Sequence, residues 1–207
     1  MIPKIIHYVW LGDSEKPESV KSNIANWRVK LPDYEFVEWN NDTISAVADK
    51  SVYVRESCEE KAWAFVSDYI RLWALWTQGG IYLDTDVEVL QSFDPLLHYE
   101  SFVGKEASET ICTAVIGAQK GCQWLQDSLI KYNDRHFILD GKLDKMPNSK
   151  YLFQVINQYK SVTILPEDFF HPFILVQRER MSLQAHIQFI IIPEPGKLRE
   201  KNSRTAF

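Results

Sequence analysis

A helical pattern that runs directly into a strand pattern constrains the fold of this chain most strongly. Apolar residues recur at intervals of three and four along the helical part, at Trp63, Val66, Ile70, Trp73 and Trp76. Ser57 and Glu60 have the spacing of a capping box, which predicts that the helix begins near residue 57 and runs to about Thr77. Gly79 supplies the left-handed conformation that is common just past a helix C-terminus. The segment IYLDTDVEVL follows at once and predicts a strand from 81 to 90.

Strand and helix patterns alternate along most of the chain. Further strands are predicted in KIIHYVWLG, YEFVEW, SFVGKE, TAVIGAQ and SVTIL. Further helices are predicted in SVKSNIANWRVKL, DTISAVADK, CQWLQDSLIKYNDRHF and YLFQVINQY. This alternation predicts a layered α/β domain with a mostly parallel sheet. The 207 residues suit one such domain, predicted over 1–176, followed by an atypical, charged C-terminal segment over 177–207 whose composition is also compatible with partial disorder.

Composition excludes several classes of function. The net charge is −5 and no Lys/Arg-rich block precedes the C-terminal tail, so nucleic-acid binding is not expected. Three cysteines without CxxC spacing indicate neither a disulfide framework nor a zinc site. The N-terminal stretch MIPKIIHYVWLG lacks a cleavage site, and the later apolar run FIII is too short to cross a bilayer. These features predict a cytoplasmic protein without a transmembrane segment.

Two aspartates, Asp84 and Asp86, interrupt the apolar strand pattern. If the strand is continuous, the alternation of side chains places both of them on one face, together with Tyr82. Ionised carboxylates are seldom buried without a partner. The acidic face is therefore either solvated at a sheet edge or bound to a hard cation such as Mg²⁺. Asp68 and Arg71, one helical turn apart in the preceding helix, form either a surface salt bridge or part of the same site.

The stretch SDYIRLWALWTQGGIYLDTDVEVL resembles the core signature S-D-x-x-R…G-G-x-Y-x-D-x-D of the DXD-containing glycosyltransferases of family 32. IPKIIHYVWLG is similar to the opening strand of that family. The family includes bacterial capsule and lipopolysaccharide sugar transferases and yeast mannosyltransferases, and it is related to the clostridial glucosylating toxins. The resemblance implies a GT-A type, Rossmann-like single domain. It also implies transfer of a hexose from a UDP- or GDP-sugar, with retention of configuration and with Mn²⁺ or Mg²⁺ as cofactor.

The same resemblance implies which residues perform the chemistry. Asp86 would hold the metal on the diphosphate of the donor, and Asp84 would share the metal. Arg71 and the cation would stabilise the negative charge that builds on the β-phosphate as the nucleoside diphosphate leaves. The catalytic residues implied by the resemblance are therefore Asp84, Asp86 and Arg71.

Donor binding involves an overlapping set of residues. By the same resemblance, Asp84 would contact the ribose or the sugar, and Asp68 and Arg71 would hydrogen-bond the donor sugar. Tyr82 would lie near the nucleoside or the sugar. Trp10, at the end of the first strand, would stack on the base. Taken alone, both rings are also compatible with core packing.

The chain departs from the family in its C-terminal half. Relatives commonly end their catalytic region with a His-His-x-x-x-Ser-Trp-like segment that closes over the metal and diphosphate, whereas QAHIQFIIIPEPGKLREK offers only His186. Cys112 and Cys122 stand where relatives usually carry Asn and His, and both are predicted to be small buried hydrophobic residues. His7 lies between apolar neighbours and is predicted to be a hydrogen-bonded structural histidine.

The function predicted from the sequence is metal-dependent hexosyl transfer in bacterial surface polysaccharide synthesis. The acceptor would be a saccharide or a lipid-linked saccharide, with peripheral attachment to the inner face of the membrane as an alternative to a purely cytoplasmic location. Two other functions stay open. One is a nucleotide-sugar-binding module that has lost catalysis along with the closing segment, and the other is a metal-dependent phosphohydrolase that uses Asp84 and Asp86.

Overall fold

The computed structural model describes residues 1–170 and 188–190. In chain order its strands are β1 (Ile5–Val9), β2 (Glu35–Trp39), β3 (Gly80–Leu83), β4 (Val87–Val89), β5 (Ser101–Ala107), β6 (Thr110–Ala118), β7 (Ile138–Leu139), β8 (Lys142–Leu143), β9 (Val162–Leu165) and β10 (Gln188–Ile190). Its α-helices are α1 (Glu18–Lys30), α2 (Asn41–Ala48), α3 (Val52–Glu59), α4 (Trp63–Gln78), α5 (Gln123–Lys131) and α6 (Asn148–Ile156).

The centre of the fold is a six-stranded sheet in the order β2-β1-β3-β6-β5-β9. β1 is parallel to β2 and β3, and β5 is parallel to β9. β6 is antiparallel to both β3 and β5, so it alone of the six strands runs against the others. The predicted α/β domain with a mostly parallel sheet is therefore confirmed.

Each face of the sheet is covered by its own apolar core. On one face, α4 packs with other helices against the sheet through Val66, Ile70 and their neighbours. On the opposite face, α1 and the segment after β4 form a second core, to which Trp27 contributes a completely buried ring. The indole N–H of Trp27 donates to the carbonyl oxygen of Val87 at 2.8 Å, so this ring packs as an apolar body with its polar group paired.

The predicted start of the long helix at Ser57 is wrong. Ser57 lies inside α3, and its hydroxyl donates to the carbonyl oxygen of Tyr53 one turn earlier, at 2.7 Å. Lys61 then adopts a left-handed conformation with φ 52°, which separates α3 from α4. No side chain caps the first turn of α4. The helix is instead stabilised by its buried apolar face, which in proteins generally outweighs capping.

The predicted continuous strand from 81 to 90 is also wrong, because the chain turns after Leu83. The N–H of Asp84 donates to the carbonyl oxygen of Ala114 in β6 at 2.9 Å, and the N–H of Val87 donates to the carbonyl oxygen of Asp84 at 3.1 Å. β4 then leaves the central sheet and pairs in parallel with β10. Asp84 and Asp86 thus lie in a turn at the carboxyl end of β3, and the strand alternation predicted for them does not apply.

Gly79 ends α4 as predicted. Its N–H donates to the carbonyl oxygen of Leu75 at 2.8 Å, and its φ of 71° with ψ of −175° belongs to a region open almost only to glycine. A β-carbon at this position would lie 2.7 Å from the backbone nitrogen of Lys120. Gly79 therefore allows the abrupt passage from helix to strand that sets the position of the Asp84 turn.

Two expectations concern the C-terminal part. The predicted boundary at residue 176 and the candidate His186 both lie outside the described residues. Within the described part of the chain, no helix is long and apolar enough to cross a membrane.

We expect Gly79→Ala to destabilise the fold by about 3 kcal/mol, because backbone strain and a clash with fixed main chain add together. Gly141 is a matched control, since its φ is 72° but a β-carbon there would meet nothing within 4 Å. Gly141→Ala should lose only about 1 kcal/mol to backbone strain. Urea unfolding of the two variants measures the difference, and equal losses would contradict the close-packing explanation.

Candidate functional site

The predicted site residues meet at one edge of the sheet. Tyr82 and Asp84 lie at the carboxyl end of β3, and Asp86 follows in the turn. Asp68 and Arg71 reach this edge from α4. Carboxyl ends of parallel strands are where open α/β sheets commonly bind ligands. The structure thus brings Asp68, Arg71, Tyr82 and Asp84 into direct contact and places Asp86 two residues further along the chain.

Arg71 is the centre of this cluster. Its Nη1 donates to the carbonyl oxygen of Thr113 at 2.6 Å, and its Nη2 lies 2.9 Å from Asp68 Oδ1 and 3.4 Å from Asp84 Oδ1. The guanidinium carbon lies 4.6 Å from the centre of the Tyr82 ring. The side chain is only 5% exposed, so the interpretation of Asp68 and Arg71 as a surface salt bridge is wrong. Burial alone would lower the pKa of Arg71, but Asp84 and Asp68 outweigh it and raise that pKa above its ordinary value.

One carboxylate oxygen of Asp84 is held by two buried side chains, those of Tyr82 and Arg71. The hydroxyl of Tyr82 donates to Asp84 Oδ1 at 2.8 Å, and the same oxygen faces Arg71. Tyr82 is buried, and burial raises its pKa well above the ordinary value for a tyrosine. Tyr82 therefore remains a neutral hydroxyl that orients Asp84. The side chain of Asp84 is partly exposed, whereas Asp86 is exposed.

Asp68 combines a carboxylate with an environment that disfavours its charge. Burial raises the pKa of Asp68 to about 6, even though Arg71 acts in the opposite direction. Asn148, the first residue of α6, lies close enough to lower the pKa of Asp68. Asn148 is 5% exposed, and its amide nitrogen makes no hydrogen bond with the described residues. A buried amide donor beside a carboxylate that is 16% exposed is a pair that can bind a hydroxyl group, since a hydroxyl both accepts and donates.

Arg135 extends the cluster on the side of α6. Its guanidinium carbon lies between 4.7 and 5.2 Å from the ring centres of Tyr53, Tyr132 and Tyr151. Its Nε donates to Asp144 Oδ2 at 2.7 Å. Neither Asn148 nor Arg135 was among the residues predicted from the sequence, because no recognisable motif surrounds them and their proximity to Asp68 depends on the packing of α6.

The loop after β1 carries Trp10 at the same edge of the sheet. The Trp10 ring is partly exposed, and its N–H donates to the carbonyl oxygen of Ser14 at 3.0 Å. Gly12 in this loop exchanges two hydrogen bonds with the Asn41 side chain, at 2.9 and 3.2 Å. These bonds fix the loop against the start of α2. Stacking of Trp10 on a base stays a prediction.

His7 is structural, as predicted. It is completely buried, and its Nε2–H donates to the carbonyl oxygen of Gly79 at 2.9 Å. Its Nδ1 accepts a hydrogen bond from the indole of Trp39 at 3.3 Å. Burial lowers the pKa of His7, so the imidazole is neutral and links β1 to the end of α4. Cys112 and Cys122 are buried and neither is in a disulfide, also as predicted.

The residues around the turn fit a cation of the Mg²⁺ or Mn²⁺ type. Asp84 and Asp86 offer only carboxylate oxygens, which suit hard ions. Among the described residues, no group of three or more His, Cys, Asp and Glu side chains is placed to hold a metal ion. An ion at Asp84 and Asp86 would therefore take its other ligands from water and from a phosphate, which is the usual coordination of Mg²⁺ in nucleotide sites.

Comparison with known proteins agrees with this geometry. A family model described as "Glycosyltransferase sugar-binding region containing DXD motif" matches residues 17–103. That range contains Asp68, Arg71, Tyr82, Asp84 and Asp86, so the resemblance noted in the sequence is confirmed over this region.

Curated relatives and one solved structure extend the likeness. Inositol phosphoceramide mannosyltransferase 3 of Schizosaccharomyces pombe is 32% identical over 126 residues, which are 60% of this chain and 35% of that protein. Glucan organizing enzyme 1 of Cryptococcus neoformans is 27% identical over 166 residues, covering 64% of this chain and 44% of that protein. The chain thus spans less than half the length of either relative. The PaToxG glycosyltransferase structure matches with a TM-score of 0.60 and 18% identity, over 76% of this chain and 69% of its own, which confirms the predicted GT-A type fold.

We expect Asp68→Asn to change the pH dependence of stability. Because the folded state raises the pKa of Asp68 from 3.8 to about 6, the stabilising effect of its protonated form is lost as pH rises toward and past 6. Between roughly pH 5 and pH 7.5 the wild type should lose about 1 kcal/mol that the Asn variant does not lose. Urea unfolding at both pH values measures this difference.

A suitable control for that experiment is Asp144→Asn. Arg135 holds the pKa of Asp144 below its ordinary value despite partial burial, so Asp144 is ionised across the whole interval. Its substitution should change stability by the same amount at both pH values. A pH-independent difference for Asp68→Asn as well would contradict the assignment of a raised pKa to Asp68.

Proposed function

We propose that this chain, which carries a DXD-containing glycosyltransferase sugar-binding region, is a metal-dependent glycosyltransferase that moves a hexose from a nucleotide diphosphate sugar to an acceptor. The observation that carries the proposal is the buried Arg71 guanidinium, which joins the carboxylate of Asp68 to that of Asp84 at the carboxyl edge of the sheet. A solvated edge strand would not need such a bridge. Two carboxylates held on either side of one arginine suit a site that hydrogen-bonds a sugar next to a diphosphate.

The sugar of the donor would lie over Asp68 and Arg71. Asp68, when ionised, accepts hydrogen bonds from sugar hydroxyls, and the amide of Asn148 beside it donates one. The Tyr82 ring lies 4.6 Å from the guanidinium carbon of Arg71 and helps to hold the guanidinium in place. The residues are therefore ordered before the donor binds, which reduces the entropy lost on binding.

The diphosphate would lie at the turn after β3. Mn²⁺ or Mg²⁺ bound there would offset the negative charge that develops on the β-phosphate when the nucleoside diphosphate leaves. Asp86 and the second carboxylate oxygen of Asp84 would hold this ion, while Tyr82 and Arg71 restrain the first oxygen of Asp84. Trp10 would stack on the base of a UDP- or GDP-sugar from the loop after β1.

The proposal also specifies the chemical class of the acceptor and of the donor sugar. A bacterial surface polysaccharide is the acceptor class predicted from the family resemblance. The name of the S. pombe relative specifies mannosyl transfer to inositol phosphoceramide, a lipid. We therefore propose a lipid-linked hydroxylated acceptor and, among hexoses, a mannose or glucose donor. Transfer with retention of configuration belongs to the same proposal, and NMR of the product linkage decides it.

We expect a nucleotide sugar and Mn²⁺ together to raise the melting temperature, since ligands that bind only the folded state stabilise it. Asp86→Asn should abolish the metal-dependent part of this shift. Asp49→Asn, at an exposed aspartate just after α2, is the matched control and should keep it. Indifference of the wild type to every UDP- and GDP-sugar would refute the proposal. Release of inorganic phosphate without sugar transfer would favour a phosphohydrolase instead, and binding without any turnover would favour a binding module.

We also expect Asn148→Ala to weaken donor binding by about threefold to tenfold, the value of one hydrogen bond to a sugar hydroxyl. The loss should appear with the nucleotide sugar and should be absent with the nucleoside diphosphate alone, which lacks the sugar. Isothermal titration with both ligands separates the two cases. An equal loss for both ligands would mean that Asn148 acts only through the fold.

A further inference from the structure

Helix α1 contacts the turn after β3 from the face of the sheet opposite α4. Asn23, in the second turn of α1, donates from its side-chain Nδ2 to the carbonyl oxygen of Thr85 at 3.0 Å. One helical turn later, the indole of Trp27 donates to the carbonyl oxygen of Val87. The carbonyl groups of the residues on either side of Asp86 are therefore both held by α1.

The hydrogen bond from Asn23 restrains the peptide plane that leads into Asp86. The carbonyl group of Thr85 and the N–H of Asp86 belong to one planar peptide unit, so they turn together. This plane rotates only through the ψ angle of Thr85 and the φ angle of Asp86. A hydrogen bond to its oxygen restricts both angles, and the φ angle of Asp86 sets the direction of its Cα–Cβ bond. Asn23 therefore helps to fix the direction in which the Asp86 side chain leaves the backbone.

The two aspartates of the turn are held in different ways. The carboxylate of Asp84 is itself held by Tyr82 and Arg71. Asp86 is exposed, so the position of its carboxylate depends more on the backbone of the turn. An ion bound by both carboxylates needs them at a constant separation, because hard cations bind oxygen ligands within a narrow range of distances. Asn23 supplies on the Asp86 side of the turn the restraint that Arg71 supplies on the Asp84 side.

Stability of the fold alone does not account for Asn23. Thr85 is partly exposed, and a carbonyl oxygen near solvent can accept a hydrogen bond from water instead. Within a helix, asparagine is also less favourable than alanine, because its side chain competes for backbone hydrogen bonds. An asparagine that donates to the turn is explained if the position of Asp86 matters.

We infer that Asn23 is a positioning residue, which orients Asp86 by holding the carbonyl oxygen of Thr85. The purpose of this positioning rests on the proposed function, in which Asp86 is a metal ligand. The hydrogen bond between Asn23 and the turn is a property of the metal-free protein, so it is measured without donor or metal.

Amide hydrogen exchange in the metal-free protein tests whether Asn23 holds the turn. The N–H of Val87 donates to the carbonyl oxygen of Asp84, so its exchange reports opening of the turn. Asn23→Leu keeps the size of the side chain but removes the donor, and it should speed exchange at Val87 by about fivefold, the value of one hydrogen bond. Exchange along β3 should not change. Asn23→Ala should give the same result without weakening α1, since alanine is the best helix former.

Mn²⁺ binding tests the consequence for the site. Asn23→Leu should weaken the binding of Mn²⁺ in the presence of UDP or GDP by about fivefold, because the Asp86 carboxylate is less restrained. The electron paramagnetic resonance signal of free Mn²⁺ measures this affinity. Asn26→Ala is the matched control, since it removes the same amide from α1 and the Asn26 side-chain oxygen accepts no hydrogen bond from the described residues. Its exchange rate at Val87 and its Mn²⁺ affinity should equal those of the wild type.

Three results would overturn the inference. Unchanged exchange at Val87 in Asn23→Leu would show that Asn23 does not hold the turn. Faster exchange with unchanged Mn²⁺ affinity would show that the held turn does not position Asp86. Equal effects of Asn26→Ala would show that any loss of an amide from α1 acts in the same way. A wild type that binds Mn²⁺ with neither UDP nor GDP would refute the proposed function instead, while exchange at Val87 would still decide whether Asn23 holds the turn.

Discussion

The buried guanidinium of Arg71 is the interaction on which the geometry of the site depends. It connects α4 to the carbonyl oxygen of Thr113 in β6 and to the carboxylate of Asp84 after β3. A buried charge is tolerated only when it is paired and hydrogen-bonded, so these three elements must keep their relative positions. Because Arg71 holds Asp84, it also helps to position the turn that carries Asp86 two residues later.

The site also contains a group that is maintained at the expense of stability. Burial raises the pKa of Asp68 to about 6, so the ionised carboxylate is less favoured there than it would be in water, although Arg71 lies 2.9 Å away. Perturbed carboxylates of this kind concentrate at functional sites. A sugar hydroxyl at this place would give the amide nitrogen of Asn148 a hydrogen-bond acceptor, which it lacks among the described residues. We interpret the free-energy cost of desolvating the Asp68 carboxylate as a consequence of its role in binding a ligand.

The sequence predicted the architecture better than the boundaries of its elements. Alternating patterns sufficed for the α/β class, and Gly79 marked the end of α4 because only glycine fits its conformation. The helix start predicted at Ser57 was wrong, because the hydroxyl of Ser57 donates to a carbonyl oxygen within α3 instead of capping α4. Asp84 and Asp86 were placed on a strand because the apolar pattern continues past them, whereas hydrogen bonding to Ala114 and the pairing of β4 with β10 decide the turn. The role of Asn148 could not be predicted from the sequence, because its position beside Asp68 depends on the tertiary packing of α6.

A crystal structure of the protein with a nucleotide sugar and Mn²⁺, using the anomalous signal of manganese, tests most directly whether Asp68, Arg71 and Asp86 form the donor site. We expect an anomalous peak within coordination distance of Asp86 and of the diphosphate, with the sugar hydrogen-bonded to Asp68 and Arg71. A peak elsewhere, or a donor whose sugar touches neither Asp68 nor Arg71, would contradict it.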